Sequence, residues 1–135
     1  MRILIADDHA AVREGVRALL QAHDNYVICC EASNGVEAVQ LAIAEHPDVA
    51  IIDVAMPRMN GIEAARRIAQ QRPDIPVLIL SMHDEFSAQL DALRKIGIKG
   101  FVPKSKSGRE LIQAVEAVTS GHTYFPPRET GRRLA

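Results

Sequence analysis

The 135-residue chain reads as an α/β protein in which a β-strand followed by an α-helix recurs five times. Such a succession forms an open parallel sheet with helices on both faces. Three observations carry this expectation. Short apolar runs alternate with longer amphipathic stretches along the chain. Three of the runs (3–6, 49–52 and 77–80) are almost wholly apolar, as strands covered on both faces must be. Breakers fall between the elements, at Pro47, Pro57, Pro73, Pro76 and Gly97.

The first strand is expected over 2–6, where Ile3-Leu4-Ile5-Ala6 is continuously apolar. A helix over 10–22 follows, because Val12, Val16, Leu19 and Leu20 repeat at helical spacing. Tyr26-Val27-Ile28-Cys29-Cys30 marks a strand over 26–31, and Asn34 with Glu37 has the spacing of a helix cap before 35–45. Val49-Ala50-Ile51-Ile52 gives a strand over 49–53, and Asn60 with Glu63 repeats the cap ahead of a helix over 61–70. The fourth strand, 76–81, precedes a helix over 85–96 whose stripe is Phe86, Leu90, Leu93 and Ile96. The fifth strand covers 98–102. Ser107-Gly108-Arg109-Glu110 reads as a capping box for a last helix over 108–120, with Leu111, Ile112, Val115 and Val118 as its apolar stripe. The pattern stops at Gly121, so 1–121 is expected to be one domain. Residues 122–135, with Pro126-Pro127 and three arginines, are expected to be a linker or tail.

Composition narrows the function. Sixteen Lys and Arg against seventeen Asp and Glu give a net charge of -1, which leaves no bulk attraction to nucleic acid or an anionic membrane. No apolar run approaches the ~20 residues of a membrane span, so no membrane partner is expected. Cys29 and Cys30 are adjacent and cannot staple distant segments, which suits a reducing, cytoplasmic setting. On a strand their side chains should face opposite sides, one as a core thiol. The histidines lack ligand spacing, though His9 and His83 fall near the predicted acidic rim.

Chemistry collects at the strand ends, because a parallel sheet brings them all to one edge and ligands bind there. Strand one runs into Asp7-Asp8, strand three into Asp53, strand four into Ser81 and strand five into Lys104. If strands one and three are neighbours, three carboxylates share one crevice. With the lysine they leave an uncompensated double negative charge, which one Mg²⁺ would cancel; this ion takes oxygen ligands beside phosphate. An Asp at the centre can then act as a nucleophile on phosphorus. A cation and a hydroxyl around the equatorial oxygens complete what in-line phosphoryl transfer needs. Each residue alone has a plainer role, as helix cap, turn former or surface lysine. The combination is what points to phosphoryl chemistry.

Taken together, Ile3-Leu4-Ile5-Ala6-Asp7-Asp8-His9, Asp53-Val54-Ala55-Met56-Pro57-Arg58-Met59-Asn60-Gly61, Ser81-Met82 and Lys99-Gly100-Phe101-Val102-Pro103-Lys104 resemble the receiver domain of two-component response regulators over nearly the whole chain. The resemblance implies a flavodoxin-like (βα)5 three-layer sandwich with strand order 2-1-3-4-5. It implies Asp53 as phosphoacceptor from a sensor histidine kinase, Mg²⁺ held by Asp7, Asp8, Asp53 and the Ala55 carbonyl, and Ser81 and Lys104 on the phosphoryl group. Ser81 and Phe101 would form the switch pair, with the helix over 85–96 and strand five as the output face. The chain departs from the common pattern in having Phe101 for a frequent Tyr, Asn60 for a frequent Asp, and Ser105 where many receivers have a cis-linked Pro. Asp7-Asp8-His9 with Val12-Arg13-Glu14-Gly15, and the exit Gly121-His122-Thr123-Tyr124-Phe125, most resemble the LuxR/NarL type. That type implies a C-terminal helix-turn-helix domain absent from this chain, promoter DNA as partner of that domain alone, and a homodimer on phosphorylation. The implied activity is a switch, not a turnover enzyme. Two alternatives are a stand-alone receiver acting by protein contact, and a Mg²⁺-dependent aspartyl-phosphate hydrolase. Haloacid-dehalogenase-type hydrolases place a second Asp two positions after the nucleophile, where this chain has Ala55.

Overall fold

A computed structural model describes residues 1–81 and 90–126. Five parallel strands, β1 (Arg2–Ala6), β2 (Val27–Ala32), β3 (Val49–Asp53), β4 (Val77–Ser81) and β5 (Gly100–Pro103), form one sheet in the order β2-β1-β3-β4-β5. Between and after them lie α1 (Ala10–Gln21), α2 (Gly35–Glu45), α3 (Gly61–Gln71), α4 (Leu90–Lys95) and α5 (Ser107–Thr119). The expected α/β class, five-fold repeat and strand order are all present. The predicted start of the fourth helix, with Phe86 and His83, lies outside the described residues, as do Arg128, Arg132 and Arg133.

The strands sort their side chains by alternation, because successive residues point to opposite faces. Leu4, Ala6, Ala50, Ile52, Val77, Ile79 and Phe101 pack under Ala38, Ala42, Ala64, Ala65, Ile68, Leu90 and Leu93 of α2, α3 and α4. Ile3, Ile5, Val49, Ile51, Leu78, Leu80 and Val102 pack under Val16, Leu20, Leu111, Ala114, Val115 and Val118 of α1 and α5. Both faces of β1, β3 and β4 are thereby covered, which is why these strands read as unbroken apolar runs. β2 lies at an edge, and Val27 on it is 57% exposed.

Helix starts differ in how they are satisfied. Asn34 and Asn60 accept hydrogen bonds from the backbone N–H of Glu37 and Glu63, both at 2.9 Å. The two glutamates do not close the reciprocal half of the box. Glu37 accepts from Ser33, and Glu63 pairs with Arg66 and Arg67. The capping box expected at Ser107 is absent: α5 begins at Ser107 itself, and the Ser107 hydroxyl donates to the Lys104 carbonyl at 2.9 Å. A 3-10 turn over Lys104–Lys106 leads into α5 and moves the helix start one residue earlier than the spacing predicts.

The cysteine expectation is corrected in part: Cys30 does pack against the core, but the two side chains do not diverge. The β1–β2 register shifts between Ile3 and Leu4, so Ile3 pairs with Ile28 and Leu4 with Cys30. The extra residue, Cys29, breaks the alternation. The two sulfurs lie 3.3 Å apart rather than on opposite faces, and both thiols are free and half-buried.

Past α5 the chain turns back. Gly121, at φ 90°, and His122 donate to the Val118 and Ala117 carbonyls at 3.4 and 2.9 Å. These are the two bonds of a Schellman ending, which requires the left-handed φ that glycine supplies without cost. Tyr124 then pairs alongside β5, its N–H donating to Lys99 O at 2.9 Å and its carbonyl accepting from Phe101 N–H at 2.8 Å. Its hydroxyl reaches Glu110 Oε1 at 2.9 Å, and Arg94 stacks 4.4 Å over the Phe125 ring. The exit segment therefore covers what would otherwise be an open sheet edge.

Candidate functional site

The β1–β3 pairing joins Ile3 to Val49 through Ala6 to Ile52, so Asp7 and Asp53 leave neighbouring strands at the same level. Asp53 pairs across to Leu80, and Ser81 to Pro103, so Ser81 and Lys104 follow on the same edge. Asp7, Asp53 and Ser81 are buried, at 2%, 3% and 1% exposure. Carboxylates are rarely so enclosed unless paired. Here the partner is Lys104, whose Nζ lies 2.9 Å from Asp7 Oδ2 and 3.0 Å from Asp53 Oδ1. The condition on strands one and three is met, and residues 97 positions apart touch.

Asp8 is more open and faces His9, whose Nδ1 is 3.1 Å from Asp8 Oδ1 and 3.5 Å from Asp7 Oδ1. Asp7 is held from several sides. Its N–H donates to Ala32 O at 3.0 Å, its Oδ1 accepts from His9 N–H at 2.9 Å, and its carbonyl accepts from Arg13 Nη1 at 2.6 Å. Arg13 and Arg17, one helical turn apart on α1, both reach Glu31 at 3.0 Å. Sequence reasoning missed this brace, although the i, i+4 arginine spacing was a visible signal.

Gly61 is a second support missed. A Cβ there would lie 1.8 Å from the Asp53 carbonyl oxygen, so only glycine allows α3 to start this close beneath β3. Its N–H donates to Val54 O at 2.8 Å and closes the loop that carries Ala55.

The electrostatics follow from enclosure. Burial pushes the Asp53 carboxyl above its ordinary range, with Lys104 opposing and the charges of Asp7 and Asp8 adding to the rise. For Lys104 burial pulls downward, but its contacts with Asp7 and Asp53 outweigh this and hold the ammonium above its usual value. One oxygen of the central carboxylate, Asp53 Oδ2, is buried with no hydrogen-bond partner among the described residues. Donor atoms of Asp7, Asp8, His9 and Asp53 lie within 4.8 Å of one another. Ligands on opposite sides of an octahedral Mg²⁺ are about 4 Å apart, so this donor set lies close to the span of a single divalent ion and would need to draw in only slightly to hold one.

Phe101, on β5, is buried in the core beside Ile79, Leu90 and Leu93. The peptide bonds of the described residues are all trans, that of Lys104–Ser105 included. No described helix is long and apolar enough to cross a membrane.

Known proteins bear on this geometry. The family model for the response regulator receiver domain matches residues 3–116. The oxygen regulatory protein NreC of Staphylococcus carnosus is 40% identical over 131 residues, covering 96% of this chain and 60% of NreC. The transcriptional regulatory protein DegU of Brevibacillus brevis is 38% identical over 130 residues, covering 96% of this chain and 55% of DegU. This chain thus spans little more than half the length of these curated relatives. Among solved structures, a LuxR-family two-component response regulator from Aurantimonas sp. SI85-9A1 superposes with a TM-score of 0.90 at 35% identity, covering 99% of this chain and 98% of the other. The isolated receiver domain of RcsB from Salmonella enterica serovar Typhimurium, with the phosphomimetic BeF3-, gives 0.83 at 27% identity over 99% and 97% of the two chains. With the acidic rim, the facing lysine and the 2-1-3-4-5 sheet already in place, this chain belongs to the receiver domains of two-component response regulators, of the LuxR/NarL type.

Proposed function

We propose that Asp53 is the phosphoacceptor of this receiver and that a sensor histidine kinase is its donor. The observation that carries the reading is the Lys104 ammonium seated between Asp7 Oδ2 and Asp53 Oδ1, on the rim that also bears Asp8. A carboxylate oxygen of Asp53 attacks the phosphorus of a phosphohistidine. The P–N bond breaks, and the imidazole leaves with the electron pair and takes up a proton. Asp7, Asp8, Asp53 and the Ala55 carbonyl would hold Mg²⁺, which would supply positive charge against the entering phosphoryl oxygens. Lys104 is already poised to shift from carboxylate to phosphoryl oxygen, and Ser81 at the end of β4 offers the hydroxyl. Because electrostatic positioning dominates phosphoryl transfer, this set suffices for a single self-directed transfer. A switch that is modified, and not a turnover enzyme, is the result.

Ser81 and Phe101 form the switch pair, and α4 with β5 the face that reports it. Residues 1–121 with the exit segment docked beside β5 are the switch unit, and the residues that follow lead toward an output domain. DNA binding through such a domain is supported by DegU, a relative described as a transcriptional regulatory protein, and by the short share of its relatives' length that this chain spans. The setting is the cytoplasm, and phosphorylation favours a homodimer. Treatment with a small phosphodonor and Mg²⁺, followed by mass spectrometry, tests the central assignment. One phosphoryl group should appear on the wild type and none on Asp53→Asn; equal labelling of the two would refute it.

A further inference from the structure

The donor set at the rim is not made of oxygen alone. His9 follows Asp8 directly and its ring nitrogen belongs to the same cluster as the three carboxylates, all four donor atoms lying within 4.8 Å of one another. The backbone of His9 is anchored, because its N–H donates to Asp7 Oδ1 at 2.9 Å. The ring itself is 64% exposed and leans over the two carboxylates from the solvent side, with Nδ1 at 3.1 Å from Asp8 Oδ1. An independent observation points to a ligand at this place: Asp53 Oδ2 is buried and has no partner among the described residues, while Lys104 is engaged with Asp7 Oδ2 and Asp53 Oδ1.

Oxygen donors and imidazole select different ions. Mg²⁺ takes oxygen ligands and keeps several waters, so a ring nitrogen adds little to its binding. Imidazole suits late first-row ions such as Co²⁺, Ni²⁺ and Zn²⁺, and affinity for mixed nitrogen and oxygen sites climbs along that row as far as Cu²⁺ before falling at Zn²⁺. We propose that His9 turns the metal site of this receiver into a mixed oxygen–nitrogen site and is the residue that lets it take nitrogen-preferring divalent ions beside Mg²⁺. The inference rests on the reading of Asp7, Asp8 and Asp53 as a cation site. The ordinary competing role for His9 is to hydrogen-bond and orient the Asp8 carboxylate.

Calorimetric titration of the whole chain with Mg²⁺ and, separately, with Co²⁺ tests this, together with the visible absorption of bound Co²⁺. The comparison is among wild type, His9→Ala and His9→Gln. Glutamine keeps an N–H donor for Asp8 but has no imidazole lone pair. Both variants should hold Mg²⁺ within about two-fold of wild type and lose at least about tenfold in Co²⁺ affinity, as metal-site substitutions do. Added Mg²⁺ should displace Co²⁺ from the wild type. Recovery of Co²⁺ affinity in His9→Gln would assign His9 to orienting Asp8 and overturn ligation. Equal weakening of both ions, no change in either, or no displacement by Mg²⁺ would overturn it too. Absence of Mg²⁺ binding to the wild type would instead bring down the cation site itself, and the inference with it.

Discussion

Asp53 illustrates how one residue can be costly to the fold and central to its proposed chemistry. Its carboxyl is pushed upward by burial, and Lys104 offsets this only in part. The folded state therefore holds that proton more tightly than the unfolded chain does. Stability from this group is fully present below the unfolded value near 4 and is lost as pH rises through the higher folded value. At neutral pH the ionised Asp53 is a burden. Asp53→Asn, which resembles the neutral acid, should thus be more stable than the wild type at pH 7 in the absence of divalent ions. The difference should shrink at pH 4. Urea denaturation at both pH values reads this directly, and a less stable variant at pH 7 would mean that Lys104 compensates Asp53 fully. The sequence made Asp53 legible because it ends an apolar strand. It did not reveal the braces around it, since the Gly61 contact with the Asp53 carbonyl and the Arg13 contact with Asp7 O are properties of approach in space.

At the scale of elements, legibility follows how local the cause is. The strands and helices were predicted within two residues wherever described in full, because alternation and 3.6-residue spacing are written in consecutive residues. The exit segment was not. It has no periodicity, and its pairing with β5 is made by backbone groups of Lys99, Phe101 and Tyr124, which leave no mark in side-chain pattern. The β2 bulge at Cys29 was hidden for the same reason. The docked exit has a measurable signature. Burial, and then the hydrogen bond to Glu110, push the Tyr124 phenol up to about 12. A folded value above the unfolded value of 10.0 means that this contact stabilises the fold below pH 10 and is lost as pH climbs toward 12. Glu110→Ala should bring one phenol back toward 10 in an ultraviolet titration while leaving Tyr26 as it was. An unchanged curve would mean that the hydrogen bond to Glu110 adds nothing to the rise. Because the same segment bonds to the backbone of Phe101, its docking lies beside the proposed switch residue.

For the whole molecule, the sheet order decides everything downstream. Placing β1 between β2 and β3 sets Asp7 beside Asp53, and adding β4 and β5 on the far side brings Ser81 and Lys104 to the same rim. Strand runs alone do not fix that order; it was legible only through the motifs that the family shares. The assembled rim gathers negative charge that Lys104 cannot fully neutralise, so a divalent ion should bind the folded state and not the unfolded chain, in which these residues are dispersed. Binding to the folded state alone raises stability by mass action, by about 2.7 kcal/mol when free ion is 100 times the dissociation constant. For a chain of this size that corresponds to a rise in Tm of roughly 10 °C. Saturating Mg²⁺ should therefore raise the Tm of the wild type, at ionic strength matched with NaCl, and EDTA should return it. Asp8→Asn removes a rim carboxylate whose side chain is 30% exposed, so the variant should fold without the ion yet lose most of the Mg²⁺-dependent rise. An equal rise in both proteins would show that Mg²⁺ acts on the surface at large, and the rim would then have no claim to the ion.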